Sequence, residues 1–232
     1  MIVSEFIQIL HKNPAPVLFC DTCALLDVIR LPHRAKSGAV AEHTISAVLS
    51  IYDKICEASI YFVISELIPK EFGNNCPAEA ATLQNHMARL KQHIEIYEKI
   101  SKKLLPTDLI SSSFTFYDIE SELKVICDKI LEKAIILDIN DEIRYATFNR
   151  VSECLYPAAR GKESFNDCCI YETLLSMSRE IKNCGITVSV GFITSNVNDF
   201  GATSAPKTNI QNDFRNLNIN FFNTWNHANT LS

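Results

Sequence analysis

Four carboxylates stand where the chain leaves an apolar run or starts a helical pattern. They are Asp21 after residues 17–20, Glu71 after residues 60–64, Asp167 in Ser164-Phe-Asn-Asp167, and Asp199 shortly after residues 187–193. Acids brought to one edge of a sheet repel one another, and the repulsion costs stability unless cations neutralise it. Donors that are all oxygens select Mg²⁺ or Mn²⁺ rather than zinc. The chemistry such a site suits is phosphodiester hydrolysis, with one ion activating a water and a second stabilising the leaving oxygen.

Each acid also has a plainer reading. Asp21 can be a helix N-cap, its carboxylate accepting from the first free N–H groups. Glu71 can be a surface acid on an amphipathic helix, and Glu66 is its rival nearer the strand. Asp167 can be a first-turn acid favoured by the helix dipole. The joint placement at one sheet edge is what sets the group apart. A further pattern, Cys20-Asp-Thr-Cys23, fits a redox pair at a helix N-terminus. Against that use, Cys20 closes an apolar run and reads as core, and no second Cys/His pair completes a zinc site.

The elements that must position these acids follow from periodicity. Residues 17–20 show no polar alternation, as in a strand covered on both faces. From Thr22 the period becomes helical through Leu25, Leu26 and Ile29, so Asp21 sits at a strand-to-helix handover. In open α/β sheets that crevice is where ligands bind. Residues 4–11 and 42–57 read as helices, and 31–38 as a basic loop that is either a solvated connection or a phosphate contact. Residues 60–64 form a second strand. Pro69 suits the first position of the next helix, which places Glu71 in its first turn.

Leu83, Met87, Leu90, Ile94 and Tyr97 mark the longest helical pattern, 77–104, and helices are predicted at 117–133 and 140–155. A polar loop with Lys162 leads into a helix that closes at Gly185. Residues 187–193 and 217–222 are the last strands, and the tail beyond them is polar. The fold class is α/β: a three-layer α/β/α sandwich with a mostly parallel sheet and a helical insertion. Residues 1–232 read as a single domain, with 76–155 a helix-rich insertion or flank.

A net charge of −5 argues against holding nucleic acid by bulk attraction alone, but an acidic metal site contributes negative charge that its ions reverse locally. The nine cysteines are odd in number and scattered, and residues 1–10 do not read as a secretory leader. Free thiols in a reducing, cytoplasmic compartment are expected. No apolar run approaches the roughly 18 residues that span a bilayer.

Together, Val17-Leu-Phe-Cys-Asp21-Thr22, Glu71 after its strand, Ser164-Phe-Asn-Asp167 and Phe192-Ile-Thr-Ser-Asn-Val-Asn-Asp-Phe200 resemble a PIN domain over roughly residues 16–73 and 160–222. The resemblance implies a metal-dependent ribonuclease acting on single-stranded RNA with Mg²⁺ or Mn²⁺. It makes Asp21 the central metal ligand and catalytic acid, Glu71 the second and Asp167 the third. Thr194 and Ser195 would lie at the rim, and with Thr22, Arg34 and Lys162 they are the residues expected to touch substrate. Many PIN domains carry a fourth acid where this chain has Asn196. A neutral amide there would hold a second ion more weakly, and Asp199 is the catalytic acid that would substitute. Two functions are expected to compete: a divalent-metal-dependent endoribonuclease, and a PIN-like binding or scaffolding module whose catalysis has lapsed. A protein inhibitor or a second copy of the chain is a further expected partner. A haloacid-dehalogenase-type phosphatase also begins with an Asp after a strand, but expects a second Asp where this chain has Cys23.

Overall fold

The structure is a computed structural model that describes residues 1–34, 38–104, 118–158 and 164–232. Its helices and strands alternate along the chain. Helix α1 (Val3–Lys12) leads to β1 (Val17–Cys20), α2 (Thr22–Arg34) and α3 (Gly38–Cys56) to β2 (Tyr61–Ser65), and α4 (Leu67–Leu104) and α5 (Ile119–Lys133) to β3 (Ile135–Leu137). Then come α6 (Asp141–Ser152), α7 (Phe165–Asn183), β4 (Val190–Ile193) and the short α8 (Val197–Phe200). A ribbon of β5 (Gly201–Ala202) and β6 (Ala205–Pro206), α9 (Thr208–Leu217), β7 (Ile219–Phe222) and α10 (Trp225–Ala228) complete the chain.

Five strands form one parallel sheet in the order β3-β2-β1-β4-β7. Every residue of β1 and β4 is buried, as an unalternating apolar run in a doubly covered sheet requires. Helices α2, α3, α4, α5 and α10 pack together over one face, and α1, α6, α7 and α9 over the other. The three-layer α/β/α expectation holds, and the main sheet is wholly parallel. From β1 the chain turns toward β2, and from β4 it turns toward β7. The crevice between β1 and β4 is therefore the topological switch point, where open α/β sheets bind ligands.

Several local expectations are corrected. The basic loop 31–38 is helical as far as Arg34, because Pro32 falls in the last turn of α2 and removes only one backbone bond there. Residues 35–37 lie outside the described set, as do residues 105–117, which link the two predicted helices 77–104 and 117–133. Helix α4 is a continuous run of 38 residues that starts at Leu67 and passes through Pro77. Pro69 is thus its third residue, and Glu71 stands just past the first turn. The span 76–155 also contains β3, which pairs with β2 at the sheet edge. The tail is not simply polar: Trp225, Ala228 and Leu231 are buried in the core. Gly191 of β4 makes room for it, since a Cβ there would come within 3.0 Å of Leu231 and 2.8 Å of Phe222.

One buried ionic cluster ties the second helical layer together. Arg150 of α6 is paired with Glu172 of α7 at 2.6 Å and with Asp213 of α9 at 3.2 Å, and it lies 4.6 Å from the Tyr171 ring. It also donates to the Tyr156 carbonyl at 2.8 Å. Removing one partner of such a pair leaves a buried charge uncompensated. Glu172→Ala should lower stability by about 3 kcal/mol in denaturant titration. The double change Arg150→Met with Glu172→Leu should cost much less, because the charge then left in the cluster is that of Asp213, which is partly exposed and keeps its bond from the Tyr171 hydroxyl. A loss for Glu172→Ala no larger than that of the double change would contradict this account.

Candidate functional site

The parallel register sets the centre of the site. Cys20 pairs with Ile193, so the next residues, Asp21 and Thr194, leave the sheet side by side. The Asp21 N–H donates to the Ile193 carbonyl at 3.0 Å, and the Thr194 hydroxyl donates to the Asp21 carboxylate at 2.6 Å. Both side chains are buried, at 2% and 0% exposure. The N–H of Ala24, which a capping side chain would take, bonds instead to the Asp21 carbonyl at 3.2 Å. That leaves the carboxylate available for other work.

Glu71 is brought in by α4, half-buried, and the Thr22 hydroxyl donates to its carboxylate at 2.7 Å. Asp167 arrives on the first turn of α7. Glu71 and Asp167 line one cavity of about 350 Å³ together with Ser164, Phe165 and Asn166. The charges of Asp167 and Glu71 are both felt at Asp21. Burial raises the Asp21 pKa from 3.8 to about 7, with the Thr194 hydroxyl pulling it down, the two neighbouring acids adding to the rise, and the Thr22 backbone N–H opposing it. The rival acid Glu66 is exposed, with its N–H on the Leu137 carbonyl.

The remaining candidates occupy different places. Asn196 caps α8: its side-chain oxygen accepts the Asp199 N–H at 3.4 Å, and its amide nitrogen donates to the Asp199 carboxylate at 2.8 Å. Asp199 is itself buried. Thr22, expected to touch substrate, and Thr194, expected at the rim, are buried and hold the two acids in position. Ser195 is half-buried and lines a second cavity with Arg34, whose exposed guanidinium stands 3.6 Å from Glu79. Lys162 lies outside the described residues. Sequence reasoning missed Ser65. It lies two residues past Val63, the partner of Phe19, just as Asp21 lies two past Phe19. Its hydroxyl is buried without a hydrogen-bond partner. The register alone would have found it, had the β1–β2 pairing been known.

Oxygen donors of this kind suit a hard divalent cation, and the orphaned Ser65 hydroxyl is a further oxygen at the same sheet edge. Among the described residues, however, no group of three or more His, Cys, Asp or Glu side chains is placed to hold a metal ion, so Asp21, Glu71 and Asp167 do not converge into one ligand set here. The Cys20 and Cys23 thiols are pushed up by burial and by Asp21, the reverse of what a redox pair needs.

The raised Asp21 pKa has a stability consequence. The folded chain binds this proton more tightly than the unfolded chain, so stability without cations falls as pH rises from 3.8 to about 7. A shift of that size corresponds to on the order of 4 kcal/mol. Asn keeps an oxygen for the Thr194 hydroxyl and carries no charge. Asp21→Asn should therefore raise the metal-free Tm by several degrees at about pH 8 and change it little at about pH 4. Equal Tm values for the two proteins at the higher pH would rule out a costly buried charge.

The family model for a PIN domain matches residues 18–200. No curated protein and no solved structure gives a match. PIN domains are generally nucleases and usually bind divalent metals. No described helix is long and apolar enough to cross a membrane. With the match spanning most of its length and a parallel sheet carrying acids at the switch point, the chain belongs to the PIN domain family.

Proposed function

We propose that the chain is an endoribonuclease that hydrolyses phosphodiester bonds of single-stranded RNA with Mg²⁺ or Mn²⁺. The observation that carries this reading is the Asp21 carboxylate, buried at the switch point and strained electrostatically by Asp167 and Glu71. Asp21, Glu71 and Asp167 would hold the cation, which when bound supplies the positive charge that activates water and steadies the phosphate. The chain's own residues do the positioning: Thr194 orients Asp21, and Thr22 orients Glu71. The cavity between α4 and the start of α7 admits the phosphate. All nine thiols are free, which suits a cytoplasmic protein.

A catalytically lapsed PIN-like binding or scaffolding module is the second reading. It is favoured by Asn196, whose amide caps α8 rather than adding an acid, and by the lack of a closed acid cluster among the described residues.

Purified protein should cut single-stranded RNA with Mn²⁺ or Mg²⁺, and a chelator should stop it. Asp21→Asn should reduce cleavage by about two orders of magnitude or more while the fold persists. Thr194→Val removes only the orienting hydroxyl and should cost about 10- to 100-fold. Wild-type protein that binds no Mn²⁺ and cuts no RNA offered would instead establish the lapsed reading.

A further inference from the structure

Next to the Asp21 crevice, a second cavity of about 360 Å³ opens between α2, α3, the end of β4 and α10. Its walls are mostly apolar, with Ala24, Leu31, Ile193 and Trp225 among them, and its polar lining includes Asp27 with its partner Arg30. The volume lies at the small end of the range that holds organic ligands, about 300–1,000 Å³. Two contacts join it to the acid site. Ser195 follows Thr194, whose hydroxyl holds Asp21, and the Trp225 indole N–H donates at 3.0 Å to the carbonyl of Ala24 in the first turn after Asp21. These contacts tie the wall of the cavity to the residues on either side of Asp21.

We propose that the cavity is a nucleobase subsite selecting guanine next to the phosphate to be cut, an inference that rests on the endoribonuclease reading above. Apolar and aromatic walls suit the faces of a base splayed out from single-stranded RNA. Asp27 decides which base. One of its carboxylate oxygens accepts from Arg30 at 3.3 Å, and a carboxylate can only accept. Guanine is the base whose Watson–Crick edge carries two adjacent N–H donors, the pair a carboxylate takes in bidentate fashion. Cytosine, adenine and uracil each offer a donor next to an acceptor, which a carboxylate meets only halfway. Arg34 at the rim, with 55% of its side chain exposed, is placed for the nucleotide's phosphate.

Trp225 is the sole tryptophan of the chain and lines this cavity, so its fluorescence is a direct probe of what enters it. The full-length Asp21→Asn protein without metal isolates base binding from cleavage. Guanosine monophosphate should change the Trp225 emission saturably, and cytidine or uridine monophosphate should need about tenfold higher concentration. Asp27→Asn in that background should erase about tenfold of the guanine preference. Thr44→Phe, which places bulk inside the cavity, should abolish the response while circular dichroism keeps its folded form. The proposal is overturned by an absent response, by equal titrations for the three nucleotides, or by either variant behaving like its parent. Wild-type protein that cuts RNA while guanosine monophosphate leaves Trp225 unmoved would sink the subsite alone. A base-selective response in a chain that cuts no RNA would sink the endoribonuclease reading and keep the base selectivity.

Discussion

The contact between the Thr194 hydroxyl and the Asp21 carboxylate is the point on which the rest of the site depends. It arises from register: β1 and β4 are parallel neighbours whose last pair is Cys20 with Ile193. The residue after each strand must then leave the sheet beside the other. Shifting either strand by one residue would swap the faces of its side chains and turn Asp21 away from Thr194. Burying a carboxylate is costly, and one hydroxyl does not repay it. The folded chain therefore carries an acid that holds its proton to about pH 7.

The surrounding structure keeps that costly group in place. The β1 and β4 side chains beneath it are buried among Phe19, Phe192, Phe200 and Tyr171. Trp225 from the end of the chain ties the first turn of α2 by its bond to the Ala24 carbonyl. The Arg150 cluster holds α6 and α9 against α7, the helix that delivers Asp167. Thr22, adjacent to Asp21, reaches across to Glu71 on α4, so two neighbouring helices of one layer, α2 and α4, are joined at the site itself. These contacts hold Asp21 and Glu71 in place and brace the helix that carries Asp167.

Much of this frame was legible from residue pattern. Residues 17–20 read as a doubly covered strand because they have no polar alternation, and 187–193 read as a further strand, of which 190–193 pair in the sheet; both paired stretches are buried throughout. Strand β3 escaped notice because it has three residues, of which only Leu137 is buried. The continuity of α4 was hidden by Pro69 and Pro77, which locally read as starts or stops. At the site, the acids could be picked out by their place after apolar runs, and the coupling of Asp21 to Asp167 and Glu71 follows that placement. The parts played by Thr22 and Thr194 could not. A threonine after a strand looks the same whether it faces a substrate or holds a carboxylate, and only the paired register decides. Asn196 was similarly ambiguous until its bonds to Asp199 showed it capping α8.

The central claim is that Asp21 gives up its proton to a divalent cation. Calorimetric titration of Mn²⁺ into the wild-type protein at a series of pH values tests this most directly, because a cation must displace the proton that burial retains. Affinity should rise about tenfold per pH unit as pH climbs toward about 7, then level off once Asp21 is ionised without help. Binding whose strength ignores pH across that interval, or no binding at any pH, would contradict the account.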